Sequence, residues 1–217
     1  MKIKTIILTS AIGAATSAQA QSATSFKDMF LRMPESVCPA LTEYNRLELV
    51  DNQRNNKVMR TRNTYKTFST METLTDDYAH LTESSSAEKT FRLLPCAKPI
   101  QSADTSADTR AQQKSQDTAT ASSIIMVIST VHSDSISDSS VSFYTTDWKP
   151  LTASAYFSQA VSDDFRVITM ENGSDTLSVT TSNPLALNLD GSNTPAKPEA
   201  SRTEAYIWNA SATRFEK

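Results

Sequence analysis

Residues 122–148, SSIIMVISTVHSDSISDSSVSFYTTDW, are the stretch of sequence that decides the fold. The five consecutive apolar residues Ile124–Ile128 are too few to cross a membrane and are mostly β-branched, so we interpret them as a buried strand. Because side chains alternate along a strand, this run places apolar groups on both of its faces, which predicts a central strand covered on two sides. Val141 and Phe143, which alternate with serines, predict a half-buried strand after it.

Two helices and a hairpin are predicted before this stretch. One apolar face at helical spacing is formed by Phe26, Met29, Phe30 and Met33, and Pro34 ends that helix. Pro39 is a favourable first-turn residue for a second helix that extends to about Asn55. Residues 77–95 predict a β-hairpin around Ser84–Ser86.

The C-terminal part is richest in strand and turn signals. We therefore expect an α+β fold, with N-terminal helices packed on a largely antiparallel sheet and a further β-rich C-terminal layer or subdomain.

The N-terminus has the three parts of a secretory signal peptide. Lys2 and Lys4 form a basic start, an apolar run follows, and Ala18–Ala20 is a small-x-small cleavage site. We expect cleavage near Ala20 and a periplasmic or secreted mature chain without a transmembrane segment.

The remaining chain divides by composition. Residues 1–20 are the signal peptide, 21–96 hold the helices and first hairpin, and 122–217 hold the central strands and the β-rich C-terminal part. Residues 97–121 are a low-complexity segment with almost nothing that can be buried, so we expect a flexible insertion. Residues 21–217 are expected to form one compact unit.

Charge and glycine content exclude several functions. The formal net charge is −3, which argues against a nucleic-acid partner. Three glycines in 217 residues leave no phosphate-binding loop, and we expect no cofactor. A basic segment at residues 52–67 is interpreted as a loop and exposed edge, with an anion-binding strip as the alternative.

Cys38 and Cys96 are the two cysteines of the chain. In an exported protein such a pair suggests a disulfide, which would stabilise the fold by about 4 kcal/mol in the chain-entropy model. Two buried free thiols are the alternative.

A polar cluster lies between the two central strands. His132, Asp134 and Asp138 are weak candidates for a divalent metal site, and an ordinary turn is the alternative interpretation. His80 is interpreted as a surface histidine. No catalytic residue is assigned.

Four aromatic residues of the second half are candidates for a stacking surface that would hold a sugar or peptide. They are also explained by packing in the core and at its rim. These residues are Tyr144, Trp148, Tyr206 and Trp208.

The order of motifs resembles a family of exported Bacteroidales proteins known only as a domain of unknown function. The resemblance covers about Phe26 to Leu151. It rests on NRLELVD at 45–51, LTDDY at 74–78, LTESSS at 81–86, RLLP at 92–95, the strand 125–130, Asp138-Ser139 and FYTTDW at 143–148.

The resemblance lends no mechanism, because these motifs are typical of strand and turn packing. It does suggest O-glycosylation at Asp-Ser/Thr followed by a small or aliphatic residue. The matching positions are Thr118, Ser135 and Thr176.

The export signal, without a catalytic constellation, favours a non-catalytic binding or assembly module of the envelope. Its partner would be an envelope protein or a glycan. The alternative is a hydrolase that acts on envelope glycan or peptide through carboxylates.

Overall fold

The computed structural model describes residues 25–97, 122–133, 136–158, 165–182 and 201–217. Within these ranges, strands hold 52% of the residues and form two antiparallel sheets. The α-helices are α1 (Phe26–Leu31) and α2 (Glu43–Arg54), and a 3-10 turn covers Ala153–Ala155. The signal peptide, nearly all of the 97–121 segment, and residues 183–200 lie outside the described residues.

The predicted α+β class is wrong, because the fold is β-rich with two short helices of 6 and 12 residues. Helical periodicity identified both helices, but it did not reveal how little of the chain they occupy. The Thr- and Arg-rich segment after α2 lacks a clear apolar alternation, yet it forms strands. Its first strand pairs with its second, and the second pairs with the hairpin that follows.

The larger sheet has seven strands in chain order, each antiparallel to its neighbours. Its strands are β1 (Arg60–Arg62), β2 (Phe68–Leu74), β3 (Tyr78–Ser84), β4 (Ala87–Cys96), β5 (Ser122–Ser133), β6 (Ile136–Thr145) and β7 (Pro150–Leu151). The predicted hairpin of residues 77–95 is confirmed as β3 and β4, which a two-residue turn at Ser85 and Ser86 joins.

The smaller sheet has four strands in the order β11-β10-β9-β8. They are β8 (Phe165–Met170), β9 (Thr176–Ser182), β10 (Arg202–Asn209) and β11 (Arg214–Glu216). Gly173 adopts φ +77° in the turn that joins β8 to β9, a conformation that glycine adopts without steric cost.

Side-chain caps fix where both helices begin. The Ser25 hydroxyl accepts the backbone N–H of Asp28 at the start of α1. At α2, the Thr42 hydroxyl accepts the N–H of Asn45, and the Asn45 side chain accepts the N–H of Thr42. This capping box starts the helix at Glu43 rather than at Pro39.

The prediction of a central strand with both faces buried is confirmed for β5. Ile125 and Val127 belong to a core that the helices share with the larger sheet. Ile124, Met126 and Ile128 belong to a second core, between the two sheets. The larger sheet is therefore the middle layer, with helices on one face and the smaller sheet on the other.

Backbone donors of β8 attach the smaller sheet to β6. The Ser139 hydroxyl accepts the N–H of Ile168 at 3.1 Å, and the Asp138 carboxylate accepts the N–H of Arg166 at 3.1 Å. These bonds use N–H groups that an edge strand would otherwise leave without a partner. The smaller sheet is thereby fixed beside the β6 end of the larger one.

The structure does not contain a disulfide between Cys38 and Cys96, and both thiols are free and buried. Cys38 lies in the helix-side core and donates to the Glu83 carboxylate at 2.9 Å, whereas Cys96 lies in the inter-sheet core. The sheet separates the two sulfur atoms, which sequence spacing could not reveal. Burial raises the pKa of the Cys96 thiol to about 11 and that of Cys38 still further.

We expect both thiols to be unreactive in the native protein. Because burial disfavours the thiolate, Ellman's reagent at about pH 8 should modify neither thiol before unfolding. In concentrated guanidinium chloride it should modify both, and the Cys38→Ala variant should then show one. A wild-type chain that shows no reactive thiol after unfolding without reductant would contradict this prediction.

Phe91 is fully buried and contacts the rings of Phe26, Phe30 and Trp148. We expect Phe91→Ala to lower the free energy of unfolding by about 3–5 kcal/mol, since it removes a large side chain and leaves a cavity. The matched control is Phe68→Ala, whose ring is 52% exposed and whose loss should cost less than about 1 kcal/mol. Urea unfolding measures both, and equal losses would contradict the placement of Phe91.

Candidate functional site

One row of polar side chains crosses six strands of the larger sheet. Directly paired residues of antiparallel strands share a face, and this row faces the side on which the smaller sheet lies. Arg60 at one end is exposed, whereas the last two residues are 4% exposed. From β1 to β6 the row consists of Arg60, Thr70, Thr82, Glu88, Thr130 and Ser139.

This face is therefore covered at β6 and accessible towards β1. We call its accessible part the open face. All of its side chains are exposed or half-buried. The open face comprises Arg60, Arg62, Phe68, Thr70, His80, Thr82, Glu88 and His132.

Two histidines flank the carboxylate of the open face. The Nε2 atom of His80 lies 3.6 Å from one Glu88 oxygen, and the Nε2 atom of His132 lies 3.7 Å from the other. Each Nδ1 atom contacts a hydroxyl, that of Thr90 at 3.0 Å for His80 and that of Ser137 at 2.8 Å for His132. These contacts orient both rings towards Glu88, and the polar cluster links four strands, β3 to β6.

This cluster cannot chelate a single ion. His80 pairs with Thr90 and His132 lies two residues beyond the partner of Glu88, so the two rings occupy diagonal positions on either side of the carboxylate. In the described part of the chain, no group of three or more His, Cys, Asp or Glu residues is placed to hold a metal ion.

The three weak metal candidates are not brought together either. His132 pairs with Ser137, so the neighbouring Asp138 points to the opposite face of β6. The Asp138 carboxylate accepts a hydrogen bond from the backbone N–H of Arg166. Asp134 lies outside the described residues, and we assign no metal site here.

A guanidinium and an aromatic ring form the β1 end of the open face. The Cζ atom of Arg60 lies 4.0 Å from the centroid of the Phe68 ring. Arg62, directly opposite Phe68 in the register, is also exposed. This end combines exposed positive charge with an exposed aromatic surface, a combination typical of binding sites.

The four predicted stacking aromatics do not form one surface. Trp148 and Tyr144 pack at the helix-side core, and the Trp148 indole donates to the Met29 carbonyl at 2.8 Å. Tyr206 and Trp208 belong to the inter-sheet core. Three of the four are less than 10% exposed, so they hold layers together.

Two of the three glycosylation candidates, Thr118 and Ser135, lie outside the described residues. Thr176 is half-buried at the first position of β9 and pairs with Ile207. Glycosylation at these positions remains a prediction.

A second polar cluster lies on the smaller sheet. The Glu204 carboxylate accepts from Lys217 at 2.7 Å and from the Tyr206 hydroxyl at 2.6 Å, and it pairs with Arg202 at 2.6 Å. The bonds from Lys217 and Tyr206 lower the pKa of Glu204. Because this carboxylate already has three partners, the cluster offers less to a ligand than the open face does.

A groove of about 540 Å³ lies on the helical side. Both of its carboxylates, Glu35 and Glu43, are exposed, and Tyr44 is 73% exposed. Its lining residues are Leu31, Glu35, Thr42, Glu43, Tyr44 and Leu47.

The sequence predicted His132 as a weak metal ligand and His80 as a surface histidine, but it did not predict that Glu88 lies between them. Strand register, rather than sequence proximity, brings Glu88 beside His80 and His132, and it places Arg60 on the same face. The available signal was the segment 52–67, which holds five basic residues and no acidic one.

The described helices are too short or too polar to cross a membrane. Among curated proteins, none matches the sequence. A solved structure of a domain of an uncharacterized protein from Porphyromonas gingivalis W83 is similar, with a TM-score of 0.63 and 22% sequence identity. The alignment covers 88% of this chain and 96% of that one, and at this identity it shows a shared fold.

The family model described as "Protein of unknown function (DUF3256)" matches residues 16–102 and 100–190. These matches extend past the region in which the motifs resemble a domain of unknown function. The chain belongs to the DUF3256 family.

Proposed function

We propose that this protein is an exported, non-catalytic binding module of the cell envelope, and that its open face holds a glycan. The observation that carries the proposal is the exposed row that begins at Arg60 and Phe68 and continues through hydroxyl, carboxylate and imidazole groups. Export rests on the signal-peptide pattern of residues 1–20.

The chemistry of the open face suits a polyhydroxyl ligand. Sugar hydroxyls both donate and accept hydrogen bonds, so they need a mixture of partners. Guanidinium groups donate, the Glu88 carboxylate accepts, and threonine hydroxyls and imidazoles do both. The Phe68 ring, 52% exposed, adds apolar contact area for the C–H groups of a sugar ring.

The shape and composition of this surface favour binding over hydrolysis. Glycosidases of the usual two-carboxylate type place the carboxyl groups about 5–10 Å apart across the scissile bond. Of the eight residues that define the open face, Glu88 alone carries a carboxylate. In the helical groove, Glu35 and Glu43 are both exposed.

We expect Phe68→Ala to weaken glycan binding by about tenfold or more, because exposed aromatic residues at binding surfaces act as anchors. Affinity electrophoresis and calorimetry with chito-oligosaccharide, xylan, dextran and hyaluronan would measure the effect. The matched control is Tyr65→Ala, a 62% exposed aromatic residue outside the open face, which should leave affinity unchanged.

Two outcomes would contradict the proposal. The wild-type protein would bind none of these glycans, or Tyr65→Ala would weaken binding as much as Phe68→Ala does. Circular dichroism of each variant establishes that the fold is retained.

A further inference from the structure

We infer that the β1 end of the open face is a carboxylate-binding site, and that its ligand is a glycan with negative charges separated by neutral sugars. This inference rests on the proposed glycan-binding function and specifies the class of ligand.

The guanidinium groups of Arg60 and Arg62 are available to a ligand. Neither has a side-chain hydrogen bond or ion pair within the described ranges. Arg32, Arg46, Arg54, Arg92, Arg202 and Arg214 each contact a carbonyl or a carboxylate, and Arg166 also has an interaction of its own. Two exposed arginines on one face of a strand, two residues apart, suit the bidentate recognition of a carboxylate.

The edge strand that carries these arginines is held firmly. The side-chain amide of Asn45 in α2 donates to the Thr61 hydroxyl at 2.9 Å and to the Arg62 carbonyl at 3.0 Å. Thr61 is 2% exposed. The Arg60 guanidinium packs on the Phe68 ring, with its Cζ atom 4.0 Å from the ring centroid. A preorganised strand loses little entropy when it binds a ligand, which increases affinity.

Local charge also favours an anion. The segment 52–67 carries five basic residues and no acidic one, in a chain whose formal net charge is −3. A positive patch attracts a negatively charged ligand.

Glu88 defines where the ligand must be neutral. It lies on the same row as Arg60, three strands away, which is about 14 Å at the usual spacing between strands. A ligand that lies along the row meets guanidinium groups first, hydroxyls next and a carboxylate last. A nucleic acid carries a negative charge on every nucleotide and would place phosphates beside Glu88, so a glycan with spaced charges fits better.

Matched glycans test this inference on the full-length mature chain. Hyaluronan carries one carboxylate per disaccharide, its carboxyl-reduced derivative carries none, and polygalacturonate carries one on every sugar. We expect hyaluronan to bind at least about tenfold more tightly than the reduced derivative, with affinity that falls as salt is added. Polygalacturonate should bind more weakly than hyaluronan because Glu88 repels it.

Variants assign the effect to residues. Arg60→Ala and Arg62→Ala should each weaken hyaluronan binding by about five- to tenfold, an ordinary effect for a charge-assisted contact. They should leave binding of the reduced derivative nearly unchanged. The control is Arg214→Ala, which removes an exposed arginine of the smaller sheet that already pairs with Glu216. Glu88→Gln should raise the affinity for polygalacturonate several-fold.

Each contrary outcome has one meaning. Equal binding of hyaluronan and its reduced derivative, with no effect of the arginine variants, would overturn the carboxylate site and leave the glycan-binding function standing. Loss of all glycan binding in the wild type would overturn both. Tighter binding of a DNA duplex than of hyaluronan, lost in Arg60→Ala, would show that the site recognises phosphate.

Discussion

The fold depends on one constraint, which is that β5 supplies side chains to both hydrophobic cores. Ile125 and Val127 face the helices, while Ile124, Met126 and Ile128 face the smaller sheet. A strand that is apolar on both faces is stable only where both faces are covered, so two layers must pack on the sheet around it. The larger sheet has seven strands and the smaller four, and β8 is attached at β6. The open face begins at β1, the strand farthest from this attachment, and extends to His132 in β5.

The sequence predicted those elements whose signal is local. The run Ile124–Ile128 and the hairpin of residues 77–95 were recognised because their residues alternate or cluster within a few positions. The fold class was not predicted correctly, because β1 and β2 carry threonines and charged residues. These residues take strand conformation because β1 pairs with β2 and β2 pairs with β3. The predicted disulfide between Cys38 and Cys96 was wrong for a related reason. The spacing of Cys38 and Cys96 does not show that a sheet lies between them.

Local sequence patterns predicted even less of the candidate site than of the fold. His132 stood out in the sequence, yet the nearby Asp138 is not its partner in space. The strand register places Glu88 and His80 beside it and moves Asp138 to the opposite face. A site made of one or two residues from each of five strands has no sequence motif. What the sequence did contain was an imbalance of charge at residues 52–67, and the structure converts it into two arginines on one face of an edge strand.

The two ends of the polar row differ in burial, and this difference explains why a ligand would bind at the β1 end. At the covered end, Thr130 and Ser139 bond to each other at 3.0 Å, and Ser139 also accepts the N–H of Ile168. These groups are part of the packing between layers, and their removal would leave buried donors without partners. At the β1 end, an exposed cation on an aromatic ring contributes about 0.5–1 kcal/mol to stability. Arg60 and Phe68 are thus nearly dispensable for folding, which leaves their chemistry available for a ligand and allows substitutions there to be interpreted as changes in binding.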